Sequence, residues 1–360
     1  MAKLKFDIPG LELHVKLSSA GFSNSETKEK YSKEIERLIA ELVPDHFKLI
    51  SNITENNTFA ISISRLPSEP IKTYQLNMDI GVFRFLYDGL YIALSHNEIF
   101  ANLGKSQGTY AVPSLEVPDW NSLDIAMANA DDVHFDVDRY NLHEFLQKLC
   151  LSFLIRHELR HIANGHIDYL AERSTVFDER SKNGLLPLDN QTLEMDVDSC
   201  VFAGMLEGFL NDPAHRDLMP EELQDEKGIF MSLLFALQFL LYCMPSKKVS
   251  SKAEVEGQSH PNAYLRYFFS VTTGISLLNE EFPHLQDLFV QTHQENFWGC
   301  LETLATKGLI KIEPIIKDFE WTMSEEGFAY ANTIWNNWDK WIPILEPYTY
   351  LKLALPNSTQ

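Results

Sequence analysis

The run HELRH at residues 157–161 constrains this 360-residue chain more than any other feature. Residues four apart lie on the same face of a helix, so a helix here places the imidazoles of His157 and His161 side by side. Both can then bind one metal ion, and Glu158 lies close enough to act on a water beside that ion. The alternative interpretation is two histidines on an exposed helix that bind nothing.

The residues around the motif predict this helix. Apolar residues recur at helical spacing from Leu142 to Leu154. Asp138 or Asn141 can cap its first turn, and Gly165 is typical of a helix end.

Composition excludes several classes of protein. The net charge of −21 opposes binding to nucleic acid and to anionic membrane surfaces. The four cysteines are scattered, which favours free thiols in a reducing, cytoplasmic compartment, and no signal-peptide core follows the N-terminus.

The apolar run at 229–244 is 16 residues long, whereas a bilayer span needs about 20. It predicts a buried helix rather than stable membrane insertion, although a role that touches a membrane stays open.

Hydrophobic periodicity predicts an α+β fold that is predominantly helical, with a small mixed or antiparallel sheet and a helical C-terminal region. Before the metal helix, strands are predicted at 11–17, 59–64 and 133–137. Residues 73–78 should pair with the strand at 59–64. Helices are predicted at 25–43, 82–94, 192–210, 229–244 and from about 261 onward. Connecting loops are predicted at 102–121 and 172–191.

A catalytic zinc site usually has three protein ligands, so two histidines need a third. His166 is one candidate, but on a continuing helix it points nearly opposite His157, which favours a supporting or capping role. Glu194 is the better candidate. It shares a face of the next helix with Asp198, whose carboxylate can accept a hydrogen bond from the far nitrogen of a liganding histidine. Asp196 lies about 200° around that helix and is interpreted as a bystander.

A third polar segment, Ser259-His260-Pro261, precedes another predicted helix. His260 could donate a hydrogen bond to the oxyanion that develops at an attacked carbonyl. Arg266 could clamp a substrate or support Glu194. A surface loop that ends in a proline at the first helical turn explains this segment equally well.

Taken together, residues 157–161, 194–198 and 260–266 resemble the HExxH, ExxxD and HPxxxxR series of gluzincin peptidases. Membrane-bound prenyl-protein and heat-shock peptidases carry this series with transmembrane helices that the chain lacks. The chain is more similar to a soluble family, the phage-exclusion (Lit-type) peptidases, which also have a stretch like residues 161–166. Val197 stands where gluzincins commonly have alanine.

The resemblance implies a zincin-like metallopeptidase core. The match is specific only between residues 157 and 266. From the predicted elements around it we expect an N-terminal α+β region that contributes to the zincin sheet (1–122), a catalytic core (123–275) and a helical C-terminal region (276–360). The resemblance also implies one Zn²⁺ ion held by His157, His161 and Glu194, with Glu158 as the general base. The implied substrate is a cytosolic protein, elongation factor Tu in the known case. The resemblance is also compatible with a latent enzyme that an activating peptide or protein switches on.

Other functions fit the same residues. A regulatory HExxH peptidase could use this chemistry to cut a repressor. A non-catalytic, partner-binding protein with a zincin-like fold and a non-peptidase zinc hydrolase are the remaining alternatives. If the chain is a peptidase, the strand at 133–137 is the predicted edge along which an extended substrate lies.

Overall fold

The fold is described from a computed structural model of the chain. It describes residues 48–56, 58–66, 72–108, 133–173, 185–243, 251–306 and 312–353. The predicted strand at 11–17 and the predicted helix at 25–43 lie outside these residues, as does most of the predicted loop at 102–121.

Three of the described strands form a mixed sheet. The strands are β1 (Lys48–Thr54), β2 (Ile61–Arg65) and β3 (Thr73–Asp79), in the order β1-β3-β2. β3 pairs in parallel with β1 and antiparallel with β2, which confirms the predicted pairing of residues 59–64 with 73–78. Among the described strands, β2 therefore lies at an edge of this sheet.

Helices make up most of the rest of the described chain, so the fold is α+β and predominantly helical. Their bounds in chain order are α1 (Ile80–Leu94), α2 (Val137–Ala163), α3 (His166–Arg173), α4 (Pro187–Asn211), α5 (Pro213–Arg216), α6 (Glu226–Cys243), α7 (Lys252–Glu256), α8 (Ala263–Glu281), α9 (Gln286–Thr306), α10 (Ile312–Thr322) and α11 (Glu325–Leu345). The predicted domain boundary between residues 275 and 276 falls within α8. The boundary between 122 and 123 lies outside the described residues, so the division into domains stays a prediction.

α6 contains the apolar run at 229–241 and lies in the main core. Its aromatic side chains Phe230, Phe235 and Phe239 are almost fully buried, and Phe239 stacks on Phe85 of α1 with ring centroids 5.7 Å apart. Burial on all sides explains why this helix is apolar all round. None of the described helices is both long and apolar enough to cross a membrane.

The start of α2 differs from the prediction. The cap is Asp136, whose carboxylate accepts a hydrogen bond from the backbone nitrogen of Arg139 at 2.9 Å, rather than Asp138 or Asn141. Asp136 has extended backbone angles immediately before the first helical residue, which is the geometry that capping requires. The strand predicted at 133–137 is therefore shorter in the structure, where it is β5 (His134–Phe135). It pairs antiparallel with β4 (Ser106–Gln107).

α4 begins at Pro187, five residues before the predicted start at Thr192. Proline suits a first helical turn because its missing N–H has no intrahelical partner there. The polar residues that suggested a loop are buried and bonded to α11. Asp189 accepts a hydrogen bond from the Trp341 indole at 3.0 Å, and Gln191 accepts one from the Tyr330 hydroxyl at 3.0 Å.

Asp168 of α3 joins the sheet to the C-terminal segment. Its buried carboxylate forms ion pairs with Arg65 of β2 and Lys72, and accepts hydrogen bonds from the hydroxyls of Tyr74 and Tyr350 at 2.9 and 3.0 Å. The two tyrosine hydroxyls are themselves 2.9 Å apart. This cluster fixes the edge strand relative to α3, the helix that follows the HExxH helix.

Candidate metal centre

Two helices bring three potential metal-ligand groups together. α2 supplies the imidazoles of His157 and His161, and α4 supplies the carboxylate of Glu194. The two Nε2 atoms are 3.2 Å apart, and they lie 3.3 Å (His157) and 3.4 Å (His161) from the nearer oxygens of Glu194. These three residues could hold a metal ion.

The spacing of the three groups fits tetrahedral coordination. Nitrogen and oxygen ligands lie about 2.0–2.1 Å from zinc, so two ligand atoms of a tetrahedral site are about 3.3–3.4 Å apart. The observed separations of 3.2–3.4 Å match this value. Burial alone would raise the pKa of Glu194, but the two imidazoles hold that pKa well below its usual range. The carboxylate is therefore ionised, as a metal ligand must be.

Asp198 supports the centre from one turn further along α4. It is fully buried and accepts a hydrogen bond from Nδ1 of His157 at 2.9 Å, which directs Nε2 of that imidazole toward Glu194. Arg266 of α8 donates to the same carboxylate through Nε and Nη2 at 2.6 and 2.9 Å. Burial opposes ionisation of Asp198, but Arg266 and His157 outweigh it and lower its pKa.

The second histidine has a different support. Nδ1 of His161 is 3.0 Å from Nδ1 of His166, and Nε2 of His166 is 3.4 Å from the carboxylate of Asp196. The side chain of Asn164 also donates to Asp196. His166 thus has the predicted supporting position, whereas the interpretation of Asp196 as a bystander is wrong. The chain turns after α2 and carries His166 back to the face of α4 where Asp196 lies.

Glu158 follows His157 on α2 and lines the same cleft as the three ligand groups. Its side chain is buried, and desolvation by this burial raises its pKa. Burial therefore favours the protonated form of this carboxyl group, which suits a group that must accept a proton and later release it.

His260 and Arg266 both reach the site, in different roles. The His260 side chain is 58% exposed at the rim of the cleft, and its Nε2 is 3.7 Å from Glu194. Arg266 is bonded to Asp198 and lies 3.8 Å from the other oxygen of Glu194. Of the two predicted roles for Arg266, this geometry favours support of the ligand helix over a clamp on a substrate.

The cleft beside the ligand groups has a volume of about 660 Å³. Apolar side chains from three elements form much of its wall: Ile61 and Ile63 of β2, Phe153 and Leu154 of α2, and Leu240 and Leu241 of α6. The strand that lines the cleft is β2, and none of residues 133–137 does so. β5 instead packs on α1, where Phe135 stacks on Tyr91 with ring centroids 4.1 Å apart.

Comparisons with protein-family models, with curated proteins and with solved structures found no match. The likeness to gluzincin peptidases therefore rests on residues 157–161, 194–198 and 260–266. Residues from all three segments line one cleft, although the segments lie on three separate helices and a loop.

Proposed function

We propose that this protein is a zinc-dependent metallopeptidase of the gluzincin type, with a zincin-like core, that hydrolyses a peptide bond in a specific cytosolic protein. The observation that carries the proposal is the convergence of His157, His161 and Glu194 at tetrahedral spacing, beside Glu158 in an accessible cleft. A closed structural metal site would have a fourth protein ligand and no use for a buried carboxylate next to it.

Zn²⁺ is the metal that this donor set suits best, since two imidazoles and one carboxylate are frequent ligands of catalytic zinc. When bound, zinc lowers the pKa of water and polarises a carbonyl group. Asp198 and His166 orient the two imidazoles through their Nδ1 atoms. Apolar walls reduce the access of bulk water to these groups, which strengthens their electrostatic interactions.

Glu158 acts as the general base in this proposal. It takes a proton from the attacking water and delivers it to the leaving amine, so one carboxyl group serves both halves of the reaction. His260 lies at the rim, where its imidazole can donate a hydrogen bond to the oxyanion of the tetrahedral intermediate.

β2 replaces residues 133–137 as the strand along which an extended substrate pairs, because β2 lines the cleft and in the described chain pairs with β3 alone.

The identity of the protein substrate stays a prediction of the family resemblance. Elongation factor Tu, a repressor or another regulator would all be cut by the same chemistry. Cytoplasmic localisation and activation by a peptide or protein partner are likewise predictions. Phage exclusion would be the role if elongation factor Tu is the substrate.

Substitution of Glu158 by Gln tests the proposal directly. The variant should bind one zinc ion per chain, as wild type does, but lose proteolytic activity by at least about a hundredfold, the scale of general acid–base catalysis. Metal mass spectrometry measures the zinc, and a comparison of protein fragments in cells expressing wild type or the variant measures the activity. Glu207→Gln, on the exposed face of α4, is the matched control.

Two results would contradict the proposal. One is a Glu158→Gln variant that produces the wild-type fragments at the wild-type rate. The other is that the purified wild-type protein contains no zinc and that Glu194→Ala leaves its metal content unchanged. Absence of any fragment, together with one bound zinc, would favour either the partner-binding alternative or a latent enzyme. An assay of the purified protein with candidate activators then distinguishes these two.

A further inference from the structure

A second cleft of about 650 Å³ lies on the opposite side of α2 from the metal centre. At 100° per residue, the α2 side chains that line the two clefts point in nearly opposite directions. The walls of the second cleft come from α2, from α4 and from residues 215–224. Its volume is within the range of small-molecule binding sites, about 300–1,000 Å³. The proposed peptidase chemistry uses none of these residues.

Arg156 supplies a positive charge to this cleft. The side chain is half-buried, and its Nε donates a hydrogen bond to the neutral hydroxyl of Ser152 at 3.1 Å. The guanidinium forms no ion pair with any residue that the structure describes. Arg139 and Arg266 differ, since main-chain carbonyls surround the first and the carboxylate of Asp198 binds the second.

A partly desolvated guanidinium without a counter-charge is unfavourable, and an anionic ligand would relieve that cost. The exposed carboxylates of Asp217 and Glu221 also line this cleft, and neither is paired with Arg156. The carboxylate of Glu144 is buried in the wall and lies 3.9 Å from its partner Lys148, which offsets its charge. The two exposed carboxylates would repel a second anionic group elsewhere in the cleft. The electrostatics therefore favour a ligand with a single negative charge, placed at Arg156.

The shape of the cleft indicates the rest of the ligand. It follows α2 from Asn141 to Arg156, a distance of about 22 Å at 1.5 Å per residue. Apolar side chains line it on α2 and α4: Phe145, Leu149, Met205 and Phe209. On α4, a Cβ added at Gly204 would have no atom within 4 Å, so the backbone there borders open space. This arrangement suits a long apolar body.

We propose that this cleft binds an amphipathic carboxylate of the fatty-acid type, with its carboxylate at Arg156 and its apolar chain between α2 and α4. A guanidinium presents paired donors that match the two oxygens of a carboxylate. Both walls belong to the helices that carry the metal ligands, and Arg156 directly precedes His157 in the chain. The site does not depend on the proposed peptidase activity.

The experiment is calorimetric titration of the full-length protein with sodium dodecanoate below its micelle concentration. Wild type should bind one molecule per chain. Arg156→Gln should weaken binding about tenfold or more, the value of a charge-assisted hydrogen bond. Arg173→Gln, an exposed arginine on α3, is the matched control and should bind as wild type does.

Gly204→Leu provides a second variant that leaves every charge in place. Its side chain should fill the cleft and abolish binding, whereas Gly204→Ala should retain most of it. Acetate carries the charge without the apolar chain, and dodecyl maltoside carries the chain without the charge. Each should bind at least tenfold more weakly than dodecanoate.

The proposal is overturned if dodecanoate does not bind wild type, or if Arg156→Gln and Gly204→Leu bind it as wild type does. Equal affinity for dodecyl maltoside would remove the role of Arg156. Equal affinity for acetate would remove the role of the apolar walls. Circular dichroism of each variant separates a loss of binding from a loss of fold.

Discussion

Asp198 is the residue whose replacement tests the architecture of the proposed metal centre most sharply. It lies on α4 with no exposed surface, and it accepts one hydrogen bond from His157 and two from Arg266. Asp198→Asn keeps the shape of the side chain but removes its charge and replaces one acceptor oxygen with an NH₂ donor. The Arg266 guanidinium then keeps a single acceptor on this side chain.

The expected loss of stability follows from these contacts. A hydrogen bond to a charged group contributes about 1.5–3 kcal/mol, and breaking a buried ion pair from one side costs about 3–5 kcal/mol. Glu194, 3.8 Å from Arg266, offsets part of that cost. We therefore expect the free energy of unfolding to fall by about 3 kcal/mol. Zinc affinity should fall about 10–100-fold, because His157 loses the partner that fixes its orientation.

Urea unfolding of the metal-free protein measures the first quantity, and competition with a chromogenic zinc chelator measures the second. Asp339→Asn, on the exposed face of α11, is the matched control. In the double variant Asp198→Asn/Arg266→Met the stability loss should be smaller than the sum of the two single losses, since both remove the same pair. A single Asp198→Asn variant that loses under 1 kcal/mol and binds zinc at wild-type strength would refute this reasoning.

Three further substitutions test other parts of the fold. Burial lowers the pKa of His143 to about 4, so between pH 6.5 and pH 4 the unfolded chain binds more protons and the free energy of unfolding decreases as the pH is lowered. His143→Gln should remove about 3 kcal/mol of this loss, measured by urea unfolding at pH 7 and at pH 4. Arg139→Lys should lower the free energy of urea unfolding by about 3 kcal/mol or more, because one ammonium cannot replace a fully buried guanidinium that binds four main-chain carbonyls. Gly165→Ala should cost about 2–4 kcal/mol, seen as a lower Tm, because φ is +81° and the new Cβ would lie 2.7 Å from Tyr348. Unchanged stability in any of these variants would contradict the corresponding contact.

The parts of the site that depend on helical spacing were predictable from the sequence. His157 and His161 are four residues apart, as are Glu194 and Asp198, so each pair shares one face wherever the helices lie. The same spacing predicted that Asp198 supports one of the liganding histidines, and the packing of α4 on α2 selects His157. Hydrophobic periodicity predicted a mainly helical fold, and the apolar run at 229–244 predicted a buried helix.

The parts that depend on tertiary contact were not predictable. Asp196 faces away from Glu194 on its helix, and its contact with His166 exists only because the chain reverses after Gly165. Residues 187–191 have the composition of a loop, and they are helical because α11 satisfies their polar groups. The strand that lines the cleft is β2 rather than residues 133–137. Pairing with β3 and the ion pair with Asp168 set the position of β2, and the alternation of apolar and polar residues within a strand does not reveal such contacts.

The cluster around Asp168 has a consequence for biosynthesis. Tyr350 leaves the ribosome 276 residues after Tyr74, its hydroxyl neighbour. A nascent chain can form the HExxH helix and pair β2 with β3 long before this last anchor is available. The wall of the cleft is therefore completed late in translation, and a prematurely terminated product would carry every ligand group while lacking one of the contacts that hold the edge strand in place.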